Sequence, residues 1–229
     1  EYPPGSPFKL IGALVGLEEG VITPKTSITC YDGFHFGQLH VACHCKGGRL
    51  ALNEAISESC NNYFCTVYQR TIDKDGDAHA GMNRWSAHVK SFGLGTFLGN
   101  DLPTGRKGLI PDASYYDRFL GYSTWKGATS VSNGIGQGEL VATPIQLANM
   151  TAAIANRGYY YTPHIIRESD HGPIDSNFTM PNYTTVDSQH FEVVINGMFD
   201  VFERGTAKGA RIPHITQCGK TGTAQNPHG

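Results

Sequence analysis

Glycine is unusually frequent in this chain: 28 of its 229 residues are glycine, against roughly 7% in average usage. The longest aliphatic stretch, Leu10 to Leu17, is broken at Gly12 and Gly16 and is far too short to span a bilayer. Many tight turns and backbone-lined sites are expected instead. The length suits one large domain or two small ones and buries a real core. A net charge of −2 offers no basic stripe to a nucleic acid, so no nucleic-acid partner is expected. Composition also excludes a coiled coil, a disordered tail and a collagen-like repeat.

Between the glycines, helical periods dominate. Ser6 to Gly20 reads as a helix, with Pro7 in its first turn and Leu10, Leu14 and Leu17 at helical spacing,. Thr26 to Lys46 lacks that period and reads as an irregular excursion with short strands. Leu52 to Arg70 is helical with a break near Ser59, and Asn83 to Phe92 is helical up to Gly93,. Asp101 to Tyr122 is mainly loop with one short helix. Thr143 caps a helix to Asn156, with Pro144 at its first position,. Glu168 to Thr185 reads as a loop, Asp187 caps a helix to about Glu203, and Ile215 to Gln225 reads as a strand. Trp85 and Trp125 read as anchors, and Tyr159-Tyr160-Tyr161 as strand or edge packing.

Three short patterns occur in order. Ser6-Pro7-Phe8-Lys9 is Ser-x-x-Lys, Ser59-Cys60-Asn61 is Ser-x-Asn, and Lys220-Thr221-Gly222 is Lys-Thr-Gly. Each is weak alone, and Ser123-Thr124-Trp125-Lys126 repeats the first by chance. The ordered triple is the signature of penicillin-binding proteins and serine β-lactamases. Physics favours Ser6 over Ser123. On a helix, residues three apart share a face, so Lys9 Nζ can reach Ser6 Oγ. A serine hydroxyl is a poor nucleophile until a base takes its proton. Lysine is that base only when neutral, through desolvation or a nearby cation such as Lys220. The helix N-terminus adds N–H groups suited to an oxyanion. Ser123 precedes a Gly/Ser-rich run instead. A phosphate-binding loop ending at Lys220-Thr221 fails because position 214 is His214 rather than glycine,.

With these residues in view, the chain resembles the transpeptidase domain of class B penicillin-binding proteins, most like the elongation-type penicillin-binding protein 2 group of Bacteroidetes-like bacteria. Tyr2-Pro3-Pro4-Gly5-Ser6, Gly134-Ile135-Gly136-Gln137-Gly138 with Thr143-Pro144-Ile145-Gln146, and Gly205-Thr206-Ala207 with Lys220 to Gln225 carry the resemblance across nearly the whole chain. It implies an α+β, penicillin-binding protein/serine β-lactamase-like transpeptidase fold, here a helix-rich fragment with an incomplete antiparallel sheet. Residues 1–229 would be one transpeptidase domain truncated at both ends. It further implies a peptidoglycan D,D-transpeptidase: Ser6 forms an acyl-enzyme, Lys9 is the base, Ser59 relays a proton, and Asn61 holds a substrate amide. Lys220 tunes the field, Thr221 and Thr223 receive a carboxylate, Gly222 permits close backbone approach, and the Ser6 and Thr223 amides form the oxyanion hole. The implied partners are stem peptides, β-lactams and elongation-complex membrane proteins including a glycosyltransferase, at the periplasmic face of the inner membrane. No cofactor is required for catalysis. A serine β-lactamase and a non-catalytic β-lactam sensor or scaffold are the competing readings.

Six cysteines remain: Cys30, Cys43, Cys45, Cys60, Cys65 and Cys218. Four cluster beside His35, His40 and His44, and free thiols, disulfides and a metal site all fit the clustering. The resemblance implies a structural metal held by Cys30, Cys43 and Cys60 with His44 or Cys45 as fourth ligand, a donor set that suits zinc. His35 and His40 read as surface or packing residues, and Cys65 and Cys218 as small buried hydrophobes.

Overall fold

A computed structural model describes residues 1–102, 105–122, 124–168, 170 and 172–223. Ser123, Pro103, Ala224 and Gln225 therefore lie outside the described residues. A 3-10 turn, Ser6–Phe8, leads straight into α1 (Lys9–Glu18). Eight of the ten α1 residues are buried, and a helix apolar on all sides belongs in the middle of a domain. The excursion after it holds β1 (Ile28–Cys30), β2 (Gly33–Phe36), β3 (Leu39–Ala42) and β4 (Gly48–Leu50). Helices α2 (Leu52–Ser57), α3 (Asn61–Ile72), α4 (Ala78–Lys90) and α5 (Ala113–Leu120) follow. A 3-10 segment, Gly127–Ile135, precedes α6 (Pro144–Ala155), β5 (Tyr159–Tyr161), α7 (Ser176–Thr179), β6 (Pro181–Tyr183) and α8 (Phe191–Glu203).

Helices α3, α4 and α8 pack around α1, and α2 packs on α8. The aromatic centre is Trp85, edge-on to Phe8 at 6.0 Å and to Tyr68 at 5.2 Å between ring centroids. Trp125 is also buried, as an anchor should be. The strands of the described residues form three two-stranded antiparallel sheets, β1–β4, β2–β3 and β5–β6, so the antiparallel character is as expected but dispersed in small pieces. Among the described residues, no helix is long and apolar enough to cross a membrane.

Capping chemistry explains most boundaries. Thr143 accepts from the Gln146 N–H while Gln146 Oε1 accepts from the Thr143 N–H, a reciprocal cap on α6,. Asp187 opens the α8 region as read, accepting from the Gln189 N–H. Helix α4 begins five residues earlier than its apolar period suggests, because Asp77 accepts from the N–H groups of His79 and Ala80,. The expected loop from Glu168 to Thr185 holds α7 and β6 instead, since β6 has a partner in β5. The expected strand from Ile215 is absent: among the described residues, 215–223 form no strand. A strand exists only by pairing, and this segment is tied by single bonds, Gly219 N–H to Met198 O at 3.2 Å and Gln137 Nε2 to Thr223 O at 3.2 Å.

Candidate active site

Ser59 sits at the break between α2 and α3, with φ 55, a left-handed conformation that a non-glycine residue adopts at a cost. Two hydrogen bonds hold it there: Ser59 N–H to Ile56 O at 3.2 Å and Cys60 N–H to Ala55 O at 2.9 Å. Together they close the end of α2 in a Schellman turn. Cys60 then caps α3, its sulfur accepting from the Tyr63 N–H. The helix break read from the sequence is thus a built corner, and it aims Ser59 and Asn61 at α1.

What they meet there is Lys9. Its side chain has no solvent exposure, and Nζ lies 2.7 Å from Ser59 O, 3.1 Å from Ser59 Oγ and 2.6 Å from Asn61 Oδ1. Burial pulls its pKa from 10.5 down to about 8, partly offset by the neighbouring thiols. A neutral amine has two N–H groups, which Ser59 O and Asn61 Oδ1 can absorb, leaving the lone pair for a hydroxyl. Ser6 begins the 3-10 turn, where side chains three apart eclipse,, so Ser6 and Lys9 share a face. Among the described residues, no hydrogen bond joins Ser6 Oγ to Lys9 Nζ; the amine's donors are taken by the Ser59–Asn61 loop.

Ser6, Ser59, Asn61, Thr221 and Thr223 line one cleft of about 430 Å³. Residue 6 therefore shares a cavity with both distant tripeptides. Thr221 Oγ1 is 2.7 Å from Thr206 Oγ1. Lys220, drawn down to about 7 by burial and by the charge of Lys9, donates to Thr221 O at 3.2 Å. Gly222 is where the third pattern crosses the first: a Cβ there would come within 3.0 Å of Pro7 Cδ. The neighbour is a proline ring where another backbone was expected, and no strand is formed.

Gly136 serves the same cleft from another side. The Gly5 N–H donates to Gly136 O at 2.8 Å, and Gly136 has φ +75 with its ideal Cβ only 2.0 Å from Gly5 O. A side chain cannot be placed there, so glycine at 136 sets the entry to Ser6. Gln137 and Thr206, which no pattern singled out for chemistry, also line the cleft. Their positions beside Gly136 and Gly205 were the available signal.

Behind Asn61 lies a sulfur quartet. The donor atoms of Cys30, Cys43, Cys45 and Cys60 all lie within 4.8 Å of one another, with Cys43–Cys45 at 3.3 Å, Cys45–Cys60 at 3.5 Å and Cys43–Cys60 at 3.6 Å. All six cysteines are free thiols. Tetrahedral zinc with Zn–S bonds of about 2.3 Å separates its sulfurs by about 3.8 Å, so this donor set fits such an ion with little movement. The hydrogen bond with Cys60 holds the Cys43 thiol well below the ordinary thiol range, whereas burial pushes the Cys30 thiol up. His44 is not part of the quartet; it lines the cleft that holds Ser6. Cys43 and Cys45, two apart, turn one way and His44 between them the other, as alternate side chains of a non-helical segment do. Cys65 is buried, whereas Cys218 is exposed, correcting the expectation for that thiol.

The quartet is coupled to the cleft through the loop. The Asn61 N–H donates to Cys43 Sγ at 3.1 Å, and Asn61 Nδ2 donates to Ala42 O at 2.7 Å. One side chain therefore spans from the hairpin to the buried amine.

Comparison with known proteins agrees with this layout. A family model of the penicillin binding protein transpeptidase domain matches residues 1–228. The peptidoglycan D,D-transpeptidase MrdA of Acinetobacter baumannii is 35% identical over 98% of this chain and 33% of its own length. The chain thus spans about a third of that relative. Among solved structures, Pseudomonas aeruginosa PBP2 in complex with WCK 5153 superposes with a TM-score of 0.83 at 31% identity, covering 98% of this chain and 50% of that one. A chain of a peptidoglycan synthase complex that coordinates polymerization and crosslinking superposes at 0.81 with 29% identity, covering 99% and 37%.

Proposed function

Since the chain belongs to the penicillin-binding protein transpeptidase domain family and has its α+β fold, we infer that it carries the D,D-transpeptidase site of peptidoglycan crosslinking. One observation supports this most: Ser6, Ser59, Asn61 and Thr221 border a single cleft over a wholly buried Lys9. In this reading Lys9, neutral, takes the Ser6 hydroxyl proton as Oγ attacks the penultimate D-Ala carbonyl carbon. Helix-start N–H groups at Ser6 lack intrahelical acceptors and receive the developing oxyanion together with the Thr223 amide. The proton passes from Lys9 through Ser59 Oγ, 3.1 Å away, to the departing D-Ala amine as the peptide C–N bond breaks. An amine of a neighbouring stem peptide then attacks the ester, regenerating Ser6 and forming the crosslink. Thr221 and Thr223 receive the substrate carboxylate, and Lys220 tunes the electrostatics of the site.

The partners in this reading are peptidoglycan stem peptides, β-lactams that mimic them, and membrane proteins of the elongation complex including a glycosyltransferase, at the periplasmic face of the inner membrane. The likeness to a chain of a synthase complex that joins polymerization to crosslinking supports that company. The quartet Cys30, Cys43, Cys45 and Cys60 would hold a structural zinc ion, which supplies rigidity to the Ser59–Asn61 loop and no step of the reaction. Replacing Ser6 by alanine tests the whole scheme: labelling by a fluorescent penicillin disappears. Labelling that persists in Ser6→Ala means another residue is the nucleophile.

A further inference from the structure

Strands β2 and β3 form a hairpin in which His35 stands directly opposite His40. Side chains directly opposite on an antiparallel pair share one face, and here the two imidazoles stack, 4.4 Å between centroids and 10° between planes. Asp32, one residue before β2, closes the group: its Oδ1 lies 2.8 Å from His35 Nε2. Donor atoms of all three residues lie within 4.8 Å of one another. No core packing gathers them, since all three are exposed. Burial therefore does not account for three polar groups converging at an open surface.

We propose that Asp32, His35 and His40 form a second cation site, separate from the sulfur quartet, for a late first-row divalent ion. Two imidazoles and one carboxylate are a nitrogen–oxygen donor set suited to zinc, nickel, cobalt or copper. Bound to such an ion at about 2.0–2.2 Å, the three donors stand roughly 3 Å apart. Rotation of exposed side chains reaches that spacing while the hairpin backbone stays fixed. His35 binds through Nε2 in the tautomer protonated on Nδ1, and Asp32 exchanges its hydrogen bond for a bond to the ion. Three side chains leave at least one coordination position to water or to an outside ligand. No thiol belongs to the set, which separates its chemistry from that of the quartet. The two groups nevertheless share the base of one hairpin, because the Cys43 N–H donates to Asp32 O at 2.9 Å.

The test is a cobalt titration of protein loaded with a single equivalent of zinc and freed of excess, an equivalent the four thiolates take ahead of an exposed nitrogen–oxygen set. One further equivalent of Co²⁺ binds, giving weak d–d bands without the intense near-ultraviolet band of thiolate–cobalt bonds. His35→Gln and His40→Gln each weaken that equivalent by about tenfold or more, while zinc content, measured by elemental analysis, stays unchanged. In the unsubstituted protein, the ring resonances of His35 and His40 show the large contact shifts of cobalt ligands with added Co²⁺, and those of the other histidines show only smaller through-space shifts. Absence of a further cobalt equivalent, or one that survives in the double variant, overturns the proposal. Unshifted His35 and His40 resonances overturn it too, however the variants fold.

Discussion

Replacing Gly136 by alanine is the sharpest perturbation the cleft offers, because it acts on Ser6 without touching any reacting group. The new Cβ would lie 2.0 Å from Gly5 O, where ordinary contact begins at 3.4 Å, so the two backbones must part by about 1.4 Å. Gly5 is the residue before Ser6, and misplacing a reacting group by about 1 Å costs on the order of a hundredfold in rate. Left-handed backbone at an alanine costs about 1–2 kcal/mol, and the lost Gly5–Gly136 hydrogen bond about 1 kcal/mol. For a domain of this size, that lowers the melting temperature by roughly 5–10 °C. Acylation by a fluorescent penicillin, followed in time well below the melting temperature, should therefore slow about a hundredfold. Gly76→Ala is the control: it too has positive φ, but nothing lies within 4 Å of its Cβ, so it loses stability and keeps its acylation rate. Gly136→Ala that labels within threefold of the parent (well inside the roughly hundredfold expected) while melting lower would refute the claim that this contact sets Ser6.

Three further outcomes follow from the buried amine and the sulfur quartet. With Lys9 at about 8, its neutral fraction, and with it the acylation rate, rises about ninefold from pH 6 to pH 7 and levels above pH 8; a flat profile over that range removes Lys9 as base. Asn61→Asp puts a carboxylate 2.6 Å from Nζ, which favours the charged amine; the rise shifts to higher pH and acylation at neutral pH falls at least tenfold. Cys60→Ser loses the bound zinc measured by elemental analysis and melts at least about 5 °C lower, whereas Cys65→Ser, buried but outside the quartet, retains the metal.

How much of this was legible depended on whether the signal was local. The α6 cap at Thr143, the Pro7 entry to α1 and the break at Ser59 are written in neighbouring residues, and each lies where its side-chain chemistry implies. The three patterns named the cleft's chief residues, yet not the Ser59–Asn61 grip on Lys9, which depends on a loop turning back fifty positions. Pairing was the weakest point. Ile215 onward has residues a strand would accept, but sequence carries no statement of what it pairs with. The 3-10 segment Gly127–Ile135 shows no helical period; it is set by a tertiary bond, Asp73 Oδ1 accepting from the Gly127 N–H at 3.0 Å, and by packing on α3. The quartet was half legible, since clustering showed which thiols meet but not that His44 faces away from them.

The grip on Lys9 has an evolutionary reading. Among the described residues, every hydrogen bond of that amine comes from one tripeptide whose middle residue also belongs to the sulfur quartet. Under the proposed scheme, selection by a drug that acylates Ser6 meets a floor that cannot be edited without disabling the base. The rim is freer ground: His44 and Thr206 border the same opening without holding the amine, so replacements that narrow the doorway against a bulky drug should collect there.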